Sequence, residues 1–206
     1  MRAALRAAYA QAGMREELQE ALRRDLPELR SEFDVLPKQL AEMLEGVATD
    51  YFQVGDDAKA EALLREVWKL RGEESSLGWQ QGSENAMLGS CLLGQIVSKP
   101  DVTGADVATE VDLTDPRLLE ASDRLEEGLA GMEDNLKQLP QILRRDRVQR
   151  TLQDLVSIAE IRQQPEQVQR WKNKQEELLR RIEEVTAKGT LDIDRLLDRP
   201  SEVSAQ

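Results

Sequence analysis

The stretch VATDYFQVGDDAKAEALLREVWKL, residues Val47–Leu70, decides the fold. Apolar side chains approaching its centre recur at alternating spacings of four and three residues, which places them on one face of a helix; they are Leu40, Leu44, Val47, Tyr51 and Val54. After the centre, Ala60, Leu63, Leu64 and Val67 follow the same rule. Gly55 and Asp56 separate the two runs, because glycine accepts the left-handed conformation that ends a helix and aspartate caps the next one. The stretch therefore predicts a helical hairpin that needs neighbours to cover its apolar side.

The composition favours an all-α chain. Of 206 residues, 33% are charged, 40% are hydrophobic and only 3% are aromatic. Glycine and proline separate long runs of Ala, Leu, Glu, Arg and Gln, and strand-like alternation is nearly absent. This length suits one domain or a short array of repeats.

Charge, histidine and cysteine content narrow the class of function. The net charge of −12 argues against nucleic-acid binding and against anionic membranes, and no apolar run approaches the roughly 20 residues that span a bilayer. Since histidine is absent, Ser-His-Asp and Cys-His catalysis and histidine metal sites are excluded. The single cysteine, Cys91, lies in an apolar run, which predicts a core side chain in a reducing, cytoplasmic compartment. We therefore expect no enzyme activity, no cofactor and no metal.

Four helical hairpins are expected in a repeat domain of residues 1–188. They cover about residues 1–30, 38–71, 83–136 and 145–184. In the first hairpin, Ala8-Tyr9 followed by Gly13 repeats the Asp50-Tyr51 and Gly55 of the second, 42 residues earlier (55 minus 13). Residues 189–206 are expected to form a short capping stretch and a disordered tail.

Three further segments carry expectations of their own. An acidic insertion, residues 97–117, interrupts the third hairpin; its centre has five acidic residues and no basic one. A loop this long is uncommon in a compact domain, and its acids lack the spacing of a calcium loop, so a mobile segment is favoured over a cation site or a docking segment. Residues 72–82 are expected to form a loop in which Trp79 folds back on the second hairpin. Arg144, Arg145, Arg147 and Arg150 are interpreted as a solvated helix start rather than a phosphate site.

The hairpin residues carry a family resemblance. Val47-Ala48, Tyr51, Gly55, Ala60 and Leu64 resemble the tetratricopeptide repeat (TPR) pattern, although the interval is longer than the common repeat of roughly 34 residues. The stretches LLREVWKLR, SENAMLGSCLLGQ, LLEASDRLEEGLAGM and TLQDLVSIAEIRQQPEQVQRWKNKQEEL are similar, in that order, to the C-terminal repeat region of large bacterial proteins. Many of those proteins, notably in planctomycete-type bacteria, carry an N-terminal serine/threonine kinase domain.

The resemblance implies an α–α superhelix of about four TPR-like hairpins and covers about residues 40–179. The sequence has no kinase motif, so kinase activity is not carried over. In the fourth hairpin, Gln163 replaces the turn glycine and Ala159 replaces the aromatic residue.

The function that the resemblance implies is a scaffold module that binds a peptide or protein partner in the groove lined by the first helix of each hairpin. The expected groove residues are Glu45, Thr49 and Phe52, then Ala86, Ser90 and Leu93, then Gln153, Ser157 and Glu160. Phe52 and Leu93 fit a purely packing role equally well. These positions carry no basic cluster, so an acidic peptide tail is not indicated as the ligand.

Two alternatives stay open. The chain can be the regulatory C-terminal fragment of a kinase-type protein. It can also be a structural protein that forms a homodimer through residues 165–185, because positions 168, 171, 175, 178, 182 and 185 keep a coiled-coil spacing that only Gln175 breaks.

Overall fold

A computed structural model of the chain describes residues 2–32, 36–72, 78–97 and 111–197. These ranges contain eight helices: α1 (Arg2–Gln11), α2 (Arg15–Glu32), α3 (Pro37–Gln53), α4 (Asp57–Arg71), α5 (Gly78–Val97), α6 (Pro116–Asp134), α7 (Gln141–Ile161) and α8 (Pro165–Leu197). No strand occurs within the described ranges, so the all-α prediction is confirmed for them.

The helices pack in sequential pairs. α1 packs on α2, α3 on α4, α5 on α6 and α7 on α8, and each pair contacts the next through α2–α3, α4–α5 and α6–α7. The apolar stripe of the opening stretch forms part of the core, since Val47 and Leu64 are fully buried and Tyr51 is nearly so. Each pair therefore covers its apolar side with its neighbours in the chain.

Three of the four hairpins share one turn geometry. The second residue after the first helix lies in the left-handed region at Gly13 (φ 68°), Gly55 (φ 74°) and Gln163 (φ 55°). In each turn the next N–H donates to the carbonyl oxygen five residues earlier, at 3.0, 3.0 and 2.8 Å. This is the 6→1 bond of a Schellman motif, which satisfies a carbonyl at the helix end. Gln163 thus holds the turn position that glycine holds in the first two hairpins.

The third hairpin is held together by glycines. A Cβ on Gly128 of α6 would lie 2.5 Å from the Ala86 nitrogen of α5, and one on Gly82 of α5 would lie 2.8 Å from the Met132 nitrogen of α6. The two backbones approach so closely that only glycine fits at these positions. Every residue of the central stretch of α5, 82–93, is consequently buried.

Several expected boundaries differ from the structure. α5 begins at Gly78 rather than Ser83, so Trp79 lies in its first turn and packs partly buried against the core instead of in a loop. α8 runs without a break through Gly189 to Leu197, so a separate capping stretch is not formed; one glycine inside a helix costs only about 1 kcal/mol. The expected tail, residues 198–206, and most of the acidic insertion, residues 98–110, lie outside the described residues.

The apolar stripe of α8 is used within the chain. Trp171, Leu178 and Ile182, three of the positions expected to form a dimer seam, are between 1% and 8% exposed, and α8 packs on α7. A coiled-coil homodimer through residues 165–185 would have to displace these contacts. Within the described residues, no helix is long and apolar enough to cross a membrane.

Candidate functional site

The first helices of the second, third and fourth hairpins meet along one surface. Between α3 and α5, the Thr49 hydroxyl lies 3.9 Å from the Met87 sulfur. Between α5 and α7, the Ser90 hydroxyl donates to the Asp154 carboxylate. We call this surface the first-helix face; its residues are Thr49, Phe52, Ser90, Arg147, Arg150, Gln153, Asp154 and Ser157.

Two arginines of α7 reach across α5 to α3. The guanidinium carbon of Arg150 lies 4.0 Å from the Phe52 ring centroid, and that of Arg147 lies 5.8 Å from it. Burial lowers the pKa of Arg147, the neighbouring charge of Arg150 lowers it further, and Glu45 opposes both effects. Within the described residues, neither arginine has a carboxylate oxygen within 4.0 Å. Their N–H donors therefore have no carboxylate acceptor among the residues that the structure describes.

The nearest carboxylates are engaged with α5 instead. Asp154 accepts the Ser90 hydrogen bond, and the Asp57 carboxylate lies against Gly94. Burial raises the pKa of both aspartates, and the charge of Arg150 reduces that rise in each. Arg150 therefore interacts electrostatically with both aspartates at a distance, without forming an ion pair with either.

A charge network closes the opposite end of the face. Arg71 at the end of α4 pairs with Glu45 of α3 at 2.6 Å and with Glu84 of α5. Glu84 is 1% exposed and also accepts a hydrogen bond from the Trp68 indole at 3.2 Å. These contacts fix α3, α4 and α5 relative to one another, and they neutralise Glu45, one of the expected groove residues.

The expected groove residues of the third hairpin are covered. Ala86, Ser90 and Leu93 are 0%, 7% and 6% exposed. Ala86 packs against Gly128 of α6, and the Ser90 hydroxyl contacts Asp154 of α7. Phe52 of α3 is 6% exposed beneath the arginines of α7. These four side chains are part of the packed interior, so a partner cannot contact them without a rearrangement of the helices.

The remaining expected groove residues are accessible to different degrees. Gln153 and Glu160 are exposed, while Glu45, Thr49 and Ser157 are half-buried. The hydroxyls of Thr49 and Ser157 donate to carbonyls of their own helices. Glu160 lies 4.0 Å from Lys172 of α8, which places it at the α8 edge of α7.

Sequence reasoning assigned Arg147 and Arg150 to a solvated helix start rather than to this face, and it did not name Asp154. By its distance from the turn, Glu160 of α7 is the counterpart of Phe52 of α3. Arg150 is nevertheless the residue that contacts Phe52, because the two hairpins are offset along their helix axes. The solvated-start interpretation is also wrong for Arg144, which is 8% exposed and donates to the Leu139 carbonyl at 2.9 Å. The available signal was a spacing of three residues from Arg150 to Gln153 and of four residues from Gln153 to Ser157, which places all three on one side of a helix.

Cys91 and the acidic side chains of the described residues show neither an exposed thiol nor a metal-binding cluster. Cys91 is fully buried, as its apolar surroundings predicted. Burial raises the pKa of its thiol, and the charges of Asp57 and Glu61 raise it further. Within the described residues, no group of three or more His, Cys, Asp or Glu side chains is placed to hold a metal ion.

Comparisons with known proteins give no information about the function, which is therefore inferred from the geometry. No protein-family model, curated protein or solved structure matches the chain. The TPR resemblance therefore stays a prediction that rests on the residues quoted above.

Proposed function

We propose that the chain is a non-enzymatic interaction module that binds a peptide segment of a partner protein along the first-helix face. The observation that carries the proposal is the contact of Arg150 with Phe52 across α5. It joins hairpins that are not consecutive, and the proposal takes the stack to curve toward this face. A face on the inside of a bend surrounds a bound segment on more than one side.

The side chains at this face suit peptide recognition. Gln153 is exposed, and Thr49 and Ser157 are half-buried, so amide and hydroxyl groups lie on the same face as the guanidinium groups of Arg147 and Arg150, which cover Phe52. Arginine and aromatic side chains are enriched among the residues that dominate binding energy at protein interfaces. The buried, poorly ionising thiol of Cys91 and the absence of histidine from the sequence favour binding over chemistry.

The TPR resemblance adds the finer parts of the proposal. It supports a superhelical stack of about four hairpins whose first helices line the binding groove. A cytoplasmic location is proposed from the single, buried cysteine, since reducing compartments favour free thiols.

Peptide selection with two matched variants tests the proposal. A random peptide library is selected on the immobilised wild-type protein, and the peptides obtained are titrated by fluorescence anisotropy. Gln153→Trp puts a bulky, uncharged side chain at an exposed position of the first-helix face, while Gln169→Trp makes the same change at an exposed position of α8. We expect Gln153→Trp to weaken binding by at least about tenfold, or about 1.4 kcal/mol, and Gln169→Trp to leave it unchanged.

Two results would contradict the proposal. One is a selection that yields no peptide above background. The other is a set of peptides that bind both variants as tightly as the wild type. Circular dichroism of the two variants confirms that both remain folded before their affinities are compared.

A further inference from the structure

We propose that Arg147 and Arg150 together anchor a carboxylate side chain of the bound segment, so that the ligand of the first-helix face is an acidic peptide. The inference rests on the proposed function and names the chemistry of its partner. It reverses the expectation from the sequence that an acidic ligand is not indicated, because the structure places Arg147 and Arg150, which the sequence analysis interpreted as part of a solvated helix start, on the first-helix face.

Within the described residues neither arginine forms an ion pair, although the chain has more acidic than basic side chains. The sequence carries 40 Asp and Glu against 28 Lys and Arg. Arg145, on the same helix, lies 3.6 Å from Glu183, and Arg71 holds Glu45 and Glu84. Arg147 and Arg150 have no such partner within the part of the chain that the structure describes. Because acidic side chains outnumber basic ones in the sequence, the absence of a paired carboxylate is a feature of this face and does not follow from the composition.

The contact with Phe52 leaves the N–H donors of the two arginines available to an external anion. A guanidinium that packs on an aromatic ring uses its face for the cation–π contact, and its in-plane N–H donors stay available. Two such groups, three residues apart on α7, lie over the same ring at 4.0 and 5.8 Å. A carboxylate accepts two parallel hydrogen bonds from one guanidinium, and a second guanidinium adds a charge-assisted donor.

The environment makes an incoming carboxylate favourable. Arg147 is partly withdrawn from water and lies beside a like charge, and both effects disfavour its charged form. A bound anion opposes that cost directly. The two aspartates of the site are held by α5, Asp154 by the Ser90 hydroxyl and Asp57 against Gly94, so neither already occupies the arginines.

The test uses the peptides selected on the wild-type protein. We expect these peptides to share an Asp or Glu, and its replacement by Asn or Gln to weaken binding by about tenfold or more. The double variant Arg147→Gln/Arg150→Gln should weaken the acidic peptide to the same extent, and should bind the amide peptide no worse than the wild type does. Arg145→Gln, the matched control on the same helix, should leave both affinities unchanged.

A second variant separates charge from geometry and protects the test from a folding defect. Arg150→Lys keeps the charge but loses the paired donors of the guanidinium, so we expect an intermediate loss of affinity with unchanged circular dichroism. Peptides that respond to Gln153→Trp but not to the arginine variants would overturn the anchor and leave the proposed function standing. Peptides without a shared acidic residue would do the same. Peptides whose affinity is the same for every variant would overturn both the arginine anchor and the proposed function.

Discussion

Replacing Gly128 by alanine tests the close packing of α5 on α6, which positions the whole first-helix face. The added Cβ would lie 2.5 Å from the Ala86 nitrogen and 2.8 Å from both the Cα and the Cβ of Ala86. Non-bonded carbon atoms prefer separations of about 3.5–4.0 Å, so the two helices must move apart by about 1 Å. The atoms in the way include the backbone of α5, which cannot rotate aside as a side chain does.

The expected magnitude is the balance of two effects. Overpacking a core costs about 1–3 kcal/mol, and a clash with backbone atoms belongs at the upper end. Alanine regains about 1 kcal/mol over glycine inside a helix. We therefore expect Gly128→Ala to lower the free energy of unfolding by about 2 kcal/mol.

Gly46→Ala is the matched control. Gly46 lies inside α3, is exposed, and has no atom within 4 Å of an added Cβ. Only the helix propensity changes, so this variant should raise the free energy of unfolding by about 1 kcal/mol. Urea unfolding followed by far-ultraviolet circular dichroism measures both variants. If Gly128→Ala stabilises the protein as Gly46→Ala does, the proposed backbone contact between α5 and α6 is wrong.

Three further predictions concern the turns, the charges of the face and the buried ion pairs. Gln163→Gly should stabilise the protein by about 1 kcal/mol in urea unfolding, because glycine adopts a positive φ without the steric cost of a side chain; an unchanged or lower stability would contradict this. Burial raises the folded-state pKa of Asp154, so the folded protein binds its proton first as the pH falls. The stability of the wild type relative to Asp154→Asn should therefore decrease as the pH rises from 3.8 through the raised pKa, and a difference that stays flat or increases would refute the assignment. Arg6 is 7% exposed and joins Asp25, which is fully buried, to Asp50; Arg6→Met should cost about 3 kcal/mol by leaving Asp25 poorly compensated, whereas the exposed control Arg23→Met should cost under about 0.5 kcal/mol.

Local patterns in the sequence predicted the helical part of the fold. The spacing around Tyr51 and the turn at Gly55 predict two helices, and the structure has α3 ending at Gln53 and α4 beginning at Asp57. Both features depend on residues close together in the chain, where helix periodicity and glycine conformation act directly.

Contacts between distant residues could not be predicted in the same way. Arg6 stands 42 residues before Ala48, at the position where the second hairpin has a small residue, yet it is buried because Asp25 and Asp50 come from two other helices. Arg150 contacts Phe52 of a hairpin that is not adjacent in the chain, and no local pattern encodes that contact. Of the expected groove residues, Thr49, Gln153 and Ser157 lie on the accessible part of the first-helix face, whereas Ala86, Ser90 and Leu93 are buried.

The most direct test of the account is the coupling free energy between the arginine pair and an acidic side chain of a bound peptide. Binding is measured for the wild type and Arg147→Gln/Arg150→Gln, each with a selected peptide and its amide counterpart, in a double-mutant cycle. Close charge pairs at protein interfaces couple by about 1.5 kcal/mol or more. We predict a coupling of at least that size, with none for Arg145→Gln. A coupling indistinguishable from zero in the arginine-pair variant would show that the first-helix face does not recognise its partner through these residues.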